Sequence, residues 1–245
     1  MKASLFVTCL VDLFFPEVGE ATVKLLRDQG VEVSFPRGQT CCGQPAFNSG
    51  YWDEARSAAR HFLNVFENAD GYIVTPSGSC AMMVKQEYPH LFEEDRKTRA
   101  RAVALANRVY ELSSFLVDVL GVEDVGAQYK GRVTYHASCH LTRGLGITEA
   151  PRRLLQAVDG LEYVEMKDAG RCCGFGGAFA VKMADVSGAM VEDKIASIRD
   201  TQAGTLVACD MGCLMQMAGA MRRTDSSIKT RHLAQILAGE VDHAG

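Results

Sequence analysis

Brief apolar runs recur along the chain with amphipathic stretches between them. Residues 4–8 (Ser-Leu-Phe-Val-Thr) and 132–136 (Arg-Val-Thr-Tyr-His) are two such runs; VEVSF at 31–35 and LEYVEM at 161–166, then GYIVTP at 71–76 and GTLVAC at 204–209, complete two sets of three. Short apolar segments of this kind, bounded by turn residues, predict buried strands. Between the first and second run of each set lies a helix of about a dozen residues that ends at Gly30 or Gly160. YWDEARSAARHFLNVFEN (51–68) and VSGAMVEDKIASIRD (186–200) predict a second helix in each set. Strands alternating with helices form parallel βαβ units whose sheet is covered on both faces. The expected class is therefore α/β, with two pseudo-repeated, Rossmann-like βαβ units.

Between the two sets, TRARAVALANRVYELSSFLVDVLG (98–121) places Leu105, Val109, Leu112, Leu116 and Val119 at alternating steps of four and three. That stripe predicts one long amphipathic connector helix. The loop after it, GVEDVGAQYKGR, is the expected boundary between units 1–125 and 126–245. A further amphipathic stretch, IKTRHLAQILAG (228–239), lies near the end of the sequence.

The cysteines repeat with the strands. Cys9 and Cys41 are 32 positions apart, Cys139 and Cys172 are 33; Cys42 and Cys80 are 38 apart, Cys173 and Cys213 are 40. An offset of about 130 lays one half on the other, and EATVKLLRDQGVEV (20–33) then lies against EAPRRLLQAVDGLEYV (149–164). The chain holds two copies of one supersecondary unit.

Adjacent cysteines, as in TCCGQPAF (40–47) and RCCGFGGAF (171–179), close too strained a ring to pair with each other. In parallel α/β sheets, ligand sites form beyond the carboxyl ends of the strands, where every cysteine of both sets is expected to fall. The sulfurs should then converge in two pockets, one per copy. The second copy offers five thiolates, Cys139, Cys172, Cys173, Cys209 and Cys213. A tetrahedral zinc ion takes four; two adjacent thiolates suit a polynuclear centre, and iron–sulfur clusters are the common polynuclear centres held by cysteine. Gly174 permits the sharp turn, and Gly176-Gly177 let backbone approach a bulky group. Cys213 is expected to open the helix CLMQMAGAMRR, whose dipole favours a thiolate. The first copy supplies Cys9, Cys41, Cys42 and Cys80, with Pro76 where the second has Cys209. One thiolate fewer implies a different kind of cluster, or an iron left open to substrate. Structural zinc, and a merely buried thiol at Cys80, remain the alternatives.

Other candidates carry less. His136 and His140 flank Cys139 and are ligands, proton donors, partners of sulfur or ordinary polar core; His232 is a weaker case of the same kind. Met211, Met215, Met217 and Met221 follow a helical pattern suited to packing. Ser77 and Ser79 have no histidine and acid nearby in sequence, so no nucleophilic triad is read and the catalytic residues stay unknown. Gly174 to Gly177 lacks the G-x-G-x-x-G spacing of a dinucleotide site.

A net charge of −4 among 245 residues gives no electrostatic case for nucleic acid. MKASLFVTCLVDLFF lacks the basic head and cleavage site of a signal peptide, and no apolar run nears the roughly 18–20 residues that span a bilayer. A cytoplasmic location is expected, where nine cysteines are metal ligands or redox thiols rather than disulfides.

The repeated Cys…Cys-Cys-Gly…Cys pattern resembles the duplicated cysteine-rich "CCG" domain found in the B subunit of heterodisulfide reductase and the iron–sulfur subunit of glycolate oxidase. TCLVDLFFPEVGEA, FPRGQTCCGQPAFNSG, PSGSCA, CCGFGGAFAVKM, MVEDK and CLMQM resemble the lactate-utilisation protein A family over nearly the whole chain. That resemblance implies an iron–sulfur subunit of a complex that oxidises L-lactate, a 2-hydroxy acid, to pyruvate. It implies two partner proteins, one of them a ferredoxin-like iron–sulfur subunit. It also implies non-cubane [4Fe–4S] clusters with five cysteines each. Cys139, Cys172, Cys173, Cys209 and Cys213 match that set; Cys9, Cys41, Cys42 and Cys80 match four of five. Thiol or disulfide redox chemistry, as in the heterodisulfide relatives, and a zinc-stabilised scaffold are the alternative functions.

Overall fold

A computed structural model describes residues 1–224 and 227–239. Residues 225–226 and 240–245, which fall within the expected second unit, lie outside the described residues. Among the described residues eight strands form two sheets: β1 (Lys2–Leu5), β2 (Glu32–Ser34), β3 (Tyr72–Thr75) and β4 (Val109–Glu111) in one, β5 (Gln128–His136), β6 (Asp159–Tyr163), β7 (Thr205–Ala208) and β8 (Lys229–His232) in the other. The orders are β2-β1-β3-β4 and β6-β5-β7-β8, and every pair is parallel. Identical order in both sheets is the duplication made visible, and the chain is α/β with two repeated lobes.

The register fixes which positions correspond. Leu5 pairs with Val74 and Thr75 with Glu111 in the first sheet; Tyr135 pairs with Val207 and Ala208 with His232 in the second. Leu5 therefore matches Tyr135, Phe6 matches His136, and Glu111 matches His232.

Two elements differ from the sequence reading. The connector is not one helix: a helix over Arg96–Ala106 stops, β4 follows at Val109–Glu111, and Leu112–Ser114 and Phe115–Val119 resume as short helical turns. Val109 and Glu111 are buried because they complete the sheet beside β3, and this tertiary pairing outweighs a helical spacing of apolar residues. Likewise Lys229–His232, polar and short, adds an edge strand before the helix Leu233–Leu237.

The helices Pro16–Asp28 and Leu233–Leu237, from opposite ends of the chain, pack against each other. Val18, Leu25 and Leu26 thereby join Leu233, Ile236 and Leu237 in one buried cluster that includes residues of both sheets. Each fully buried aliphatic side chain contributes about 1.5–3 kcal/mol, so the two lobes are held by a common core. The buried residues of a second cluster come from the first lobe, where Phe6 meets Phe62 edge-on at 4.8 Å and Phe62 meets Tyr88 at 5.5 Å, and Leu145 of the second lobe packs against it.

Candidate metal centre

The loops after the strands bring the cysteines together. In the first lobe Cys9 opens the helix Cys9–Phe14 after β1, Cys41 and Cys42 lie in the loop after β2, and Cys80 sits in the helix Gly78–Met82 after β3. In the second, Cys139 follows β5, Cys172 and Cys173 follow β6, and Cys213 lies in the helix Met211–Arg222 after β7. All eight line one cavity of about 200 Å³. Two separate pockets were the expectation; facing sheet edges make a single cavity with a thiol wall on each side.

The glycine after each cysteine pair shows why the motif needs it. Gly43 and Gly174 have φ of +84° and +81°. A Cβ on Gly43 would lie 3.0 Å from Ala58 Cβ, and one on Gly174 would lie 2.7 Å from the Ser187 carbonyl. Each turn is left-handed and backs directly onto the following helix, Trp52–Phe66 or Ala184–Asp200.

Within each wall the thiols form a connected series. Cys9 interacts with Cys41, Cys41 with Cys42, and Cys42 donates to Cys80 at 3.5 Å. Cys139, Cys172, Cys173 and Cys213 are linked in the same order. The second thiol of each series is the one pushed toward its thiolate form. Hydrogen bonds from Cys42 and Cys9 lower Cys41 to about 3, and those from Cys139 and Cys173 lower Cys172 to about 2. The backbone N–H of Gly174 also donates to the Cys172 sulfur, at 3.4 Å. The flanking thiols Cys9, Cys42, Cys139 and Cys173 are held protonated by the adjacent thiolate and by burial. The thiols of each wall are free and linked one to the next, and four cysteines are the donor set of a zinc site or an iron–sulfur cluster, so the residue types fit such a group.

Cys209 is not brought to this wall. It follows β7 in full burial, 3.5 Å from the Tyr135 hydroxyl and beside Glu111 of the other lobe, and burial raises its pKa. The five-thiolate set becomes four plus one thiol facing away, and the two walls hold equal numbers. Of the histidines, His140 lines the cavity with Nδ1 3.8 Å from Cys139 Sγ. His136 is buried at the end of β5, one of its ring nitrogens lying within 4.8 Å of Cys173 and Cys213 sulfurs. His232 is structural: its side chain caps the helix Leu233–Leu237, and Nε2 reaches the Pro76 carbonyl at 3.0 Å. Met211, Met217 and Met221 are packing residues, buried in the core, and Met215 is half-buried.

Sequence reasoning passed over Asp210. Its Oδ1 accepts from Ser77 Oγ at 2.9 Å and from the Ser79 backbone N–H at 3.0 Å, while Oδ2 accepts from Ser138 Oγ at 2.6 Å. One buried carboxylate thus ties the loop after β3 to that after β5, capping a helix of the other lobe instead of its own. The available signal was the alignment that sets TPSGSC on ACDMGC, where Ser77 meets Asp210. The close approach excludes side chains: a Cβ on Gly78 would lie 2.8 Å from Leu141, and one on Gly144 would collide with Met82.

Two like α/β lobes meeting at cysteine-bearing edges define a duplicated cysteine-rich domain protein, and the family profile "CCG: Cysteine-rich domain" matches residues 3–85 and 133–218. The chain is 54% identical to lactate utilization protein A of Geobacillus sp. (strain WCH70), over 97% of this chain and 99% of that protein. It is 50% identical to lactate utilization protein A of Bacillus subtilis (strain 168), with the same coverage. The chain belongs to the lactate utilization protein A family. Its fold also matches a hypothetical protein from Helicobacter pylori, with a TM-score of 0.70 at 11% identity, over 98% of this chain and 49% of that one.

Proposed function

We propose that this chain is the iron–sulfur subunit of a cytoplasmic system that oxidises L-lactate to pyruvate, working with a ferredoxin-like iron–sulfur protein and a third subunit. The observation that carries this reading is the convergence of two four-thiol walls on one cavity. Cys9, Cys41, Cys42 and Cys80 would hold one centre, and Cys139, Cys172, Cys173 and Cys213 the other. When bound, such centres supply one-electron acceptors for the two electrons that leave a 2-hydroxy acid. The chain's own residues do the rest. Hydrogen bonds from the neighbouring thiols favour the thiolate, the ligating form, at Cys41 and Cys172. Asp210 keeps the two walls at fixed separation, and His140 is a cavity group able to exchange a proton with a bound substrate. Among the described residues no helix is long and apolar enough to cross a membrane.

Oxygen-free purification tests the reading. Brown protein with iron and acid-labile sulfide is expected; colourless protein with stoichiometric zinc would replace it by an assembly scaffold. Lactate-dependent dye reduction, measured with the chain alone and with its partners added, then separates catalyst from relay.

A further inference from the structure

The two lobes differ most sharply directly behind their thiol walls. Phe6 and His136 are register equivalents at the ends of β1 and β5. The glycine turns set the helices in register as well: Gly43 faces Ala55 and Ala58 where Gly174 faces Ser187 and Met190. Counting on from those contacts, Phe62 corresponds to Lys194. The first lobe therefore fills this place with an aromatic pair, Phe6 against Phe62. The second fills it with an imidazole and an ammonium, both fully buried.

Those polar groups are not satisfied alike. Lys194 Nζ donates to the carbonyls of Asp168 at 3.0 Å and Ala169 at 2.9 Å. His136 has no hydrogen-bond partner for either ring nitrogen among the described residues. An orphaned buried polar atom costs about 1–3 kcal/mol, and two on one ring are retained only where something absent from the bare chain pairs with them. A ring nitrogen and the sulfurs of Cys173 and Cys213 lie within 4.8 Å of one another, close enough to share one metal ion. Cys209, the thiolate expected to complete this set, faces Tyr135 and Glu111 instead.

We propose that an imidazole nitrogen of His136 is a ligand of the centre held by Cys173 and Cys213, so that the second lobe builds a mixed thiolate–imidazole centre and the first an all-thiolate one. This rests on the metal-centre reading above and adds to it an asymmetry between the two walls.

The test uses full-length chain loaded with iron and sulfide without oxygen. Pulsed electron paramagnetic resonance of the reduced protein should show a directly bound nitrogen whose pattern changes on 15N-histidine labelling. The coupling should survive in His140→Gln and vanish in His136→Phe. In the latter, a chelator should strip iron from one of the two centres at about 10- to 100-fold lower concentration, the other centre being unchanged. Should His136→Phe fail to fold, the double variant His136→Phe/Lys194→Phe rebuilds the first lobe's aromatic pair and serves in its place. Bound iron and sulfide with no histidine coupling, or a coupling lost in His140→Gln, overturns the assignment of His136 and leaves the metal-centre reading standing. Absence of any bound iron overturns both.

Discussion

The first lobe and the second share strand order, glycine turns and four thiols, yet they differ in nearly every polar group around those thiols. Pro76, Ser77, Phe6 and Phe62 stand in one where Cys209, Asp210, His136 and Lys194 stand in the other. What stayed the same after duplication is the geometry that gathers sulfur at the carboxyl ends of the strands. What changed is the charge and hydrogen bonding behind it. The ends of the fourth strands make the point. Glu111 of the first lobe approaches Cys209 of the second, and His232 of the second reaches Pro76 of the first. These contacts follow one pseudo-symmetric path with different chemistry: a carboxyl beside a thiol in one direction, an imidazole on a carbonyl in the other.

The comparison can be broken most decisively at the cysteines. Cys41→Ser and Cys172→Ser should each remove one centre, seen as loss of about half the bound iron, whereas Cys209→Ser should leave iron content unchanged. Iron loss in Cys209→Ser equal to that in Cys172→Ser would restore the five-thiolate set. Next in size is Asp210→Ala, which strips three hydrogen bonds from a buried carboxylate and should lower stability by at least about 3 kcal/mol in denaturant melts. A value within the scatter of surface substitutions would show that the shared core alone holds the lobes together.

Glu111 gives the contrast a pH dependence. Burial raises its carboxyl from 4.5 to about 7, so the folded chain holds a proton that the unfolded chain has already lost between those values. The contribution of Glu111 to the stability of the metal-free protein therefore falls as pH rises from 4.5 through 7, by up to roughly 3 kcal/mol, and levels off above, while the buried rings of His136 and His232 contribute with the opposite sign. Glu111→Gln should flatten that slope; an unaltered slope would place its origin elsewhere. The smallest effect separates the two turns. Gly174→Ala and Gly43→Ala both incur about 1–2 kcal/mol for a left-handed backbone. Gly174→Ala should cost more, because its Cβ meets a rigid carbonyl at 2.7 Å where Gly43 meets a methyl at 3.0 Å. Thermal melts of the two variants decide the order.

Much of this was legible in advance because it is local. Brief apolar runs marked six of the eight strands, and matched cysteine intervals exposed the duplication. The Cys-Cys-Gly turns announced a positive φ that only glycine adopts at little cost. The two missed strands are edge strands: Val109–Glu111 was hidden in a helical spacing of apolar residues, and Lys229–His232 is polar and makes no apolar run.

Which way Cys209 faces, whether two thiol walls share a cavity, and which polar atoms are left without partners belong to another level. They depend on how residues more than a hundred positions apart pack, as when Leu233–Leu237 lies on Pro16–Asp28 or Asp210 reaches Ser77. Linear order specifies the lobes because backbone propensity and apolar spacing act over a few residues. It is silent on their mutual placement because that is set by a buried interface assembled from both ends of the chain, and the site exists only once that interface has closed.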